Sequence, residues 1–181
     1  SLYMDFTFLT TGGFYIHTEF QTTDKKEADL RRFHAYDAVY SNKTGKKVIT
    51  YVIYSGGITN VKSELDCGLY TYRVQPIYLK NKNADEVFRK LKQKQDNGEA
   101  FTEDDYAALS LTPLMSGKMS RKDMFKEAIR LAKPNIELSA EKATAMLYTL
   151  ADKFLDKAEL DEIKEVMRMT RLGQMLMDEG M

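Results

Sequence analysis

The sequence predicts an α/β fold in which a mixed sheet with one crossover helix is followed by a helical C-terminal region. Up to about Leu79, apolar residues alternate with polar ones or run together between glycine-rich turns, which is typical of strands. From about Asn83 onward, apolar residues recur at helical spacing, and caps and helix breakers separate successive segments. We therefore expect two domains, residues 1–82 with the sheet and residues 83–181 with the helices.

The composition fits a globular chain and limits the classes of function. The 181 residues are 43% hydrophobic, enough for one sizeable core or two small ones. With 27 basic and 27 acidic residues the chain has no net charge, so any surface that binds nucleic acid must be local. The single cysteine excludes an internal disulfide, and no apolar run is long enough to cross a bilayer. We therefore expect a cytoplasmic protein without membrane contact.

The first two predicted strands should form an antiparallel hairpin. Residues 3–9 and 14–21 each place apolar side chains at alternate positions, and the segment Thr10-Thr11-Gly12-Gly13 between them is a turn signal. The apolar faces of both strands must lie on the same side of the sheet, and a slip of one residue would separate them. Only pairing of odd-numbered with odd-numbered residues satisfies this condition.

This register has a chemical consequence at the end of the hairpin. A three-residue loop with a left-handed glycine sets Asp5 opposite Glu19, with His17 and Gln21 as diagonal neighbours on the same face. Two carboxylates directly opposite each other destabilise a sheet unless they are exposed, protonated or bridged by a cation. A divalent metal would provide such a bridge.

The next elements should form a crossover unit. Residues 22–24 offer caps for a helix that continues to about Ser41, and the apolar, β-branched run 48–54 is typical of a central strand covered on both faces. A helix between two such strands predicts a crossover connection. Residues 69–79 are a further candidate strand, in which Pro76 requires an edge or a bulge.

The second region should contain five helices. Thr102, Ser120 and Ser139 are expected to cap three of them. The last helix carries an apolar face that includes Leu160 and Leu176, and this face is expected to pack either internally or in a homo-oligomer, against a second subunit. The predicted helical segments are about 83–96, 102–111, 120–132, 139–153 and 156–177.

The segment Tyr15-Ile16-His17-Thr18-Glu19-Phe20-Gln21-Thr22, followed by the helix at 29–36 and the strand at 48–54, resembles a known nuclease pattern. It is similar to the recombination-promoting nuclease and transposase branch of the PD-(D/E)XK superfamily. Residues 150–154 and 172–176 also look like the C-terminal region of this family, so the likeness covers nearly the whole chain. The resemblance implies a restriction-endonuclease-like core.

The resemblance also implies a chemistry and a set of site residues. In this family, an aspartate on one strand and a Glu-x-Lys or Glu-x-Gln on the next hold a magnesium ion beside the scissile phosphate. Asp5 and the triplet Glu19-Phe20-Gln21 match these positions. The implied catalytic residues are Asp5, Glu19 and Gln21, and the implied ligands of Mg²⁺ or Mn²⁺ are Asp5, Glu19 and the backbone carbonyl of Phe20. The implied activity is DNA cleavage linked to recombination or transposition.

Two departures from the family pattern keep a second function open. Gln21 stands where most of the superfamily has lysine, and a neutral amide can orient a water but cannot act as a base or supply positive charge. The family also has a helix and a first strand before the aspartate strand, so this chain is expected to be N-terminally truncated and inactive by itself. The alternative is a catalytically silent DNA-binding or oligomerisation module that retains the nuclease fold.

Other polar residues near the predicted site have two interpretations each. Periodicity alone favours Asp5 and Glu19 as exposed residues on the wet face of a hairpin, whereas the resemblance favours a metal site. His17 is either a general base or metal ligand or, as is commoner for an isolated histidine on a strand, a satisfied polar neighbour. Four basic residues near the start of the following helix either contact DNA phosphates or form a solvated face. These are Lys25, Lys26, Arg31 and Arg32.

Overall fold

A computed structural model of the protein describes residues 5–132 and 137–179, without the side chains of residues 170–178. Within these ranges the chain forms six strands, six α-helices and one short 3₁₀ helix, an α/β architecture with the strands in the N-terminal part. The chain divides into two compact units between Asn81 and Lys82. Each unit is described by itself.

The first unit contains two sheets and one helix. The elements are β1 (Phe6–Leu9), β2 (Tyr15–Gln21), α1 (Glu27–Thr44), β3 (Val48–Tyr54), β4 (Glu64–Asp66), β5 (Thr71–Arg73) and β6 (Gln75–Tyr78). The larger sheet has the strand order β1-β2-β3-β6, with β1 antiparallel to β2 and the other neighbours parallel, so the sheet is mixed as predicted. The smaller sheet pairs β4 with β5 antiparallel and was not expected.

The register of β1 and β2 confirms the predicted odd-with-odd pairing. Thr7 lies opposite His17 and Phe6 opposite Thr18, and extending this register by one residue sets Asp5 opposite Glu19. The loop between the strands needs a left-handed residue, and Gly13 supplies it with a φ of 78°. The hairpin geometry therefore follows from the turn sequence and the period-2 pattern.

Helix α1 crosses over between the parallel strands β2 and β3, as predicted. It begins later than the expected caps, because Asp24 instead accepts a hydrogen bond of 2.8 Å from the N–H of Lys26 in the preceding turn. It ends at Thr44 rather than near Ser41, because Gly45 adopts a left-handed φ of 68° and terminates the helix.

The face of β2 that is most deeply buried is its polar face, contrary to the wet-face interpretation. His17, Glu19 and Gln21 are 0%, 2% and 6% exposed, whereas Phe8 and Ile49 on the opposite side of the sheet are 56% and 38% exposed. The reason is that α1 covers the polar side, and its Leu30 and Phe33 join the core there. That core contains Leu30, Phe33, Val52, Tyr54, Leu65 and Val74.

The candidate strand at 69–79 is divided between the two sheets. The division falls at Val74, which is buried and donates its N–H to the carbonyl of Ser63 at 3.0 Å. Pro76 lies in β6, at the edge of the larger sheet and opposite Val52, so its missing N–H costs no inner hydrogen bond. The predicted edge position of Pro76 is therefore confirmed.

The second unit contains all five predicted helices, each within about two residues of its expected bounds. Thr102 and Ser120 cap as predicted, accepting the N–H groups of Asp105 at 3.1 Å and Asp123 at 3.2 Å. Ser139 does not cap, because its helix already begins at Leu138. The elements are α2 (Ala84–Asp96), α3 (Glu103–Leu111), a 3₁₀ helix (Thr112–Leu114), α4 (Arg121–Ala132), α5 (Leu138–Phe154) and α6 (Lys157–Glu179).

The apolar face predicted for the last helix is described only over its first half. Leu160 and Ile163 are 9% and 0% exposed, so this half packs within the chain. The remaining members at 172–176 lie outside the described side chains. No helix in the described part of the chain is long and apolar enough to span a membrane.

Candidate active site

At the carboxyl end of β2, the Asp5 side chain contacts the main chain of the predicted triplet Glu19-Phe20-Gln21. Asp5 immediately precedes β1, is half-buried, and its Oδ2 accepts a hydrogen bond of 2.8 Å from the N–H of Phe20. This contact ties the Asp5 carboxylate to the backbone of β2 beside Glu19, its neighbour across the hairpin. Asp5 therefore lies at the same end of the hairpin as Glu19 and Phe20.

The Glu19 carboxylate lies between two donors on its own strand. Its Oε1 is 2.9 Å from Nε2 of His17, and its Oε2 accepts a longer hydrogen bond of 3.4 Å from Nε2 of Gln21. Residues two apart on a strand face the same side, so the sequence spacing alone brings these three side chains together. All three are buried, as the covering helix α1 requires.

The structure adds three residues that sequence reasoning missed. Oδ1 of Asp37, on α1, is 2.7 Å from Nδ1 of His17, while its Oδ2 accepts hydrogen bonds from the hydroxyls of Thr50 on β3 and Tyr72 on β5. One available signal was the position of Asp37 four residues after Phe33, which puts an acidic residue on the apolar face of the helix. Nothing in the local pattern of Thr50 or Tyr72 distinguishes them.

His17 is charged in this setting. Burial lowers the pKa of its imidazole, but the hydrogen bonds and negative charges of Asp37 and Glu19 outweigh burial and raise the pKa to about 9. At neutral pH both ring nitrogens therefore donate, one to each carboxylate. A protonated imidazole cannot accept a proton from water, so the structure favours the satisfied polar neighbour over the general base. Burial and the adjacent Asp37 also raise the pKa of Tyr72, which keeps its hydroxyl a donor.

The donor set at the end of the hairpin suits a hard divalent cation. Asp5, Glu19 and the carbonyl of Phe20 supply oxygen, and magnesium is commonly held by one or two carboxylates while it keeps several waters. Among the side chains that the structure describes, no group of three or more His, Cys, Asp or Glu residues is arranged to hold a metal ion.

The basic residues at the start of α1 differ in exposure and in the ion pairs that they form. Lys25 and Lys26 are exposed, and Lys26 has a positive φ of 55° where the helix begins. Arg31 is also exposed and lies 4.0 Å from Glu27 one turn away, a separation that contributes little in water. These three side chains remain accessible to a ligand.

Arg32 is the most constrained of the four basic residues. Its Nη2 lies 3.3 Å from Oδ1 of the buried Asp29, and its guanidinium sits over the ring of Phe33 at 5.0 Å from the centroid. Asp29 also accepts the N–H of Lys25 at 2.9 Å. Arg32 therefore stabilises the first turns of α1, as well as being a candidate contact for phosphate.

No family model, curated protein or solved structure matches this chain. The likeness to the nuclease family therefore rests on the order of the motif residues.

Proposed function

We propose that this chain is the core of a metal-dependent DNA endonuclease of the PD-(D/E)XK type, acting in recombination or transposition. The observation that carries the proposal is the meeting of Asp5 with the triplet Glu19-Phe20-Gln21 at one end of the β1–β2 hairpin. The order of strand, strand, crossover helix and parallel strand agrees with a restriction-endonuclease-like core. Both features support a site for phosphodiester hydrolysis.

The residues would divide the work by their chemistry. A bound Mg²⁺ or Mn²⁺ would offset the charge of the scissile phosphate and lower the pKa of a bound water. Asp5, Glu19 and the Phe20 carbonyl would hold the metal, and the Gln21 amide would orient the attacking water. His17 would supply positive charge next to Glu19 and would not act as a general base.

DNA binding would use the basic start of α1, which follows β2 directly. Its exposed members can contact phosphates without breaking a buried ion pair. Such contacts position a duplex but do not read its sequence. The proposed DNA-binding residues are Lys25, Lys26, Arg31 and Arg32.

A specific observation favours a second candidate, a silent DNA-binding or oligomerising module. Glu19 is only 2% exposed, and its two carboxylate oxygens already accept hydrogen bonds from His17 and Gln21. A carboxylate that is engaged in this way can serve the fold without binding a metal. Gln21, which stands where most of the superfamily has lysine, also favours the silent module.

The test is magnesium-dependent nicking of supercoiled plasmid by the full-length protein and by Asp5→Ala and Glu19→Ala variants. The nuclease proposal predicts that each substitution lowers the rate by at least about 100-fold, because each removes a metal ligand. Asp161→Ala is a matched control, since this carboxylate is 60% exposed on α6. If the protein does not cleave the plasmid, or if neither substitution changes the cleavage rate, the nuclease proposal is wrong and the silent module is the remaining candidate. The DNA affinity of such a module should not depend on magnesium.

A further inference from the structure

A continuous chain of hydrogen bonds leads to Glu19 from three other elements. Tyr72 on β5 and Thr50 on β3 donate to one oxygen of Asp37, which lies on α1. The other oxygen of Asp37 is 2.7 Å from His17, and His17 is 2.9 Å from Glu19. Thus His17 connects the carboxylate of Glu19 to Asp37, and through Asp37 to β3 and β5.

Each link in this chain restricts the orientation of the next. Asp37 has donors on both of its oxygens, so its carboxylate plane is held. His17 is fully buried and uses both ring nitrogens, so the ring cannot flip without breaking two bonds. The ring holds Oε1 of Glu19, while the contact of Oε2 with Gln21 is longer, at 3.4 Å. The short contact with His17 therefore restricts the orientation of Glu19.

We propose that Asp37 is a positioning residue of this site, which fixes the Glu19 carboxylate through His17 for metal binding. The inference rests on the proposed function. Ligating carboxylates generally depend on such outer hydrogen bonds for their orientation, and loss of an outer partner typically costs about 10–100-fold in metal affinity or activity. The role assigned to Asp37 therefore has an expected size.

Fold stability alone gives a poor account of this cluster. Replacing buried ionic groups by apolar residues of similar volume is often neutral or stabilising, because taking charges out of water is costly. Here two carboxylates and one histidine are buried together beside an apolar core. A requirement for a fixed carboxylate explains the arrangement better than a requirement for a stable sheet.

The experiment is calorimetric titration of Mn²⁺ into the full-length protein and into its Asp37→Asn variant. Asparagine keeps the shape of the side chain but not the charge that holds His17. We expect Mn²⁺ to bind about 10–100-fold more weakly to the variant and kcat for nicking to fall, with KM for DNA unchanged. Asp105→Asn is the matched control, since Asp105 is a buried carboxylate of the second unit, and its Mn²⁺ affinity should equal that of the wild type.

A Glu19→Gln variant separates failure of this inference from failure of the proposed function. If Glu19→Gln abolishes Mn²⁺ binding while folded Asp37→Asn binds as the wild type does, the positioning role is wrong and the nuclease proposal stands. If the wild type and Glu19→Gln bind Mn²⁺ alike, the positioning role of Asp37 and the nuclease proposal are both wrong.

Circular dichroism establishes whether Asp37→Asn folds. If it does not, Tyr72→Phe takes its place, because this change removes one donor to Asp37 and no charge. About threefold weaker Mn²⁺ binding is then expected, which corresponds to the loss of one modest hydrogen bond. Unchanged Mn²⁺ affinity in Tyr72→Phe would overturn the proposal.

Discussion

Each unit of this protein buries acidic side chains, but the two units stabilise them in different ways. In the second unit, Asp105 is 5% exposed and accepts hydrogen bonds from Thr102 N–H at 2.9 Å and from Lys94 at 2.5 Å. In the first unit, Asp37 and Glu19 share the one charged ring of His17. In the second unit, the carboxylate of Asp105 therefore has a lysine of its own. In the first unit, two carboxylates share a single positive charge.

The comparison separates a structural cluster from a candidate site. Asp105 and Thr102 form a capping box at the start of α3, so the role of Asp105 follows from local helix chemistry. Lys90, its second partner, keeps a side chain that is 65% exposed, so much of its charge stays hydrated. The cluster around His17 completes no helix end and draws on four separate elements. Such a departure from local rules is expected at functional sites.

The largest expected effect is on the stability of the first unit. Asp37→Ala removes one of the two carboxylates that contact the charged His17 and the acceptor of the Thr50 and Tyr72 hydroxyls, which should cost about 3–5 kcal/mol. Asp105→Ala should cost less, because the lysines that it releases can return to water. Hydrogen exchange read by mass spectrometry on β2–β3 and on α2–α3 measures the two units separately. Equal losses would remove the distinction between the clusters.

The next effect is an alkaline loss of stability confined to the first unit. The pKa of His17 rises from 6.5 to about 9 on folding, so the stabilisation is fully present below pH 6.5 and is lost as pH rises through 9. Its size is on the order of 3 kcal/mol, at about 1.4 kcal/mol for each pKa unit. Denaturation at pH 6 and pH 9.5 measures it, and His17→Asn should flatten the difference.

The second unit should respond to acid instead. Burial raises the pKa of Asp105, but its hydrogen bonds to Lys94 and Thr102 outweigh burial and lower the pKa from 3.8 to about 2. This stabilisation is present above pH 3.8 and is lost as pH falls towards 2. It should be smaller than the alkaline loss, since the pKa shift is smaller. Unfolding of α2–α3 followed from pH 5 to pH 2 in the wild type and in Asp105→Asn provides the check.

The smallest expected effect tests whether the Asp105 cluster is a helix cap. Thr102→Ala removes the side-chain half of the capping box and should destabilise the second unit by about 1 kcal/mol. Thr102→Ser keeps the hydroxyl and should be close to neutral. The midpoint of urea denaturation distinguishes them, and a neutral Thr102→Ala would show that the Thr102 hydroxyl does not stabilise the start of α3.

Much of the fold could be predicted from the sequence, for reasons that are local. The helices of the second unit follow from apolar spacing and from caps such as Thr102, which act within a few residues. The hairpin register follows from the period of two in β1 and β2 and from a turn that contains Gly13. The three-residue strand β4 was missed, and the division of the predicted strand 69–79 into β5 and β6 was not foreseen, because such short segments have no period to detect.

The candidate site could be predicted only along its own strand. Glu19 and Gln21 share a face by spacing alone, but Asp37 meets His17, Thr50 and Tyr72 across 20, 13 and 35 residues. No pattern within a single segment connects residues so far apart.

By itself, the sequence determined the helices and the longer strands, how β1 pairs with β2 and which side chains of β2 share a face. Each of these depends on periodicity, capping or turn chemistry over a few residues. Only the tertiary structure decided that the face with His17 and Glu19 is the buried one, because α1 folds over that side of the sheet. Burial then made a hydrogen-bonded cluster necessary, since a charged group that leaves water must find partners.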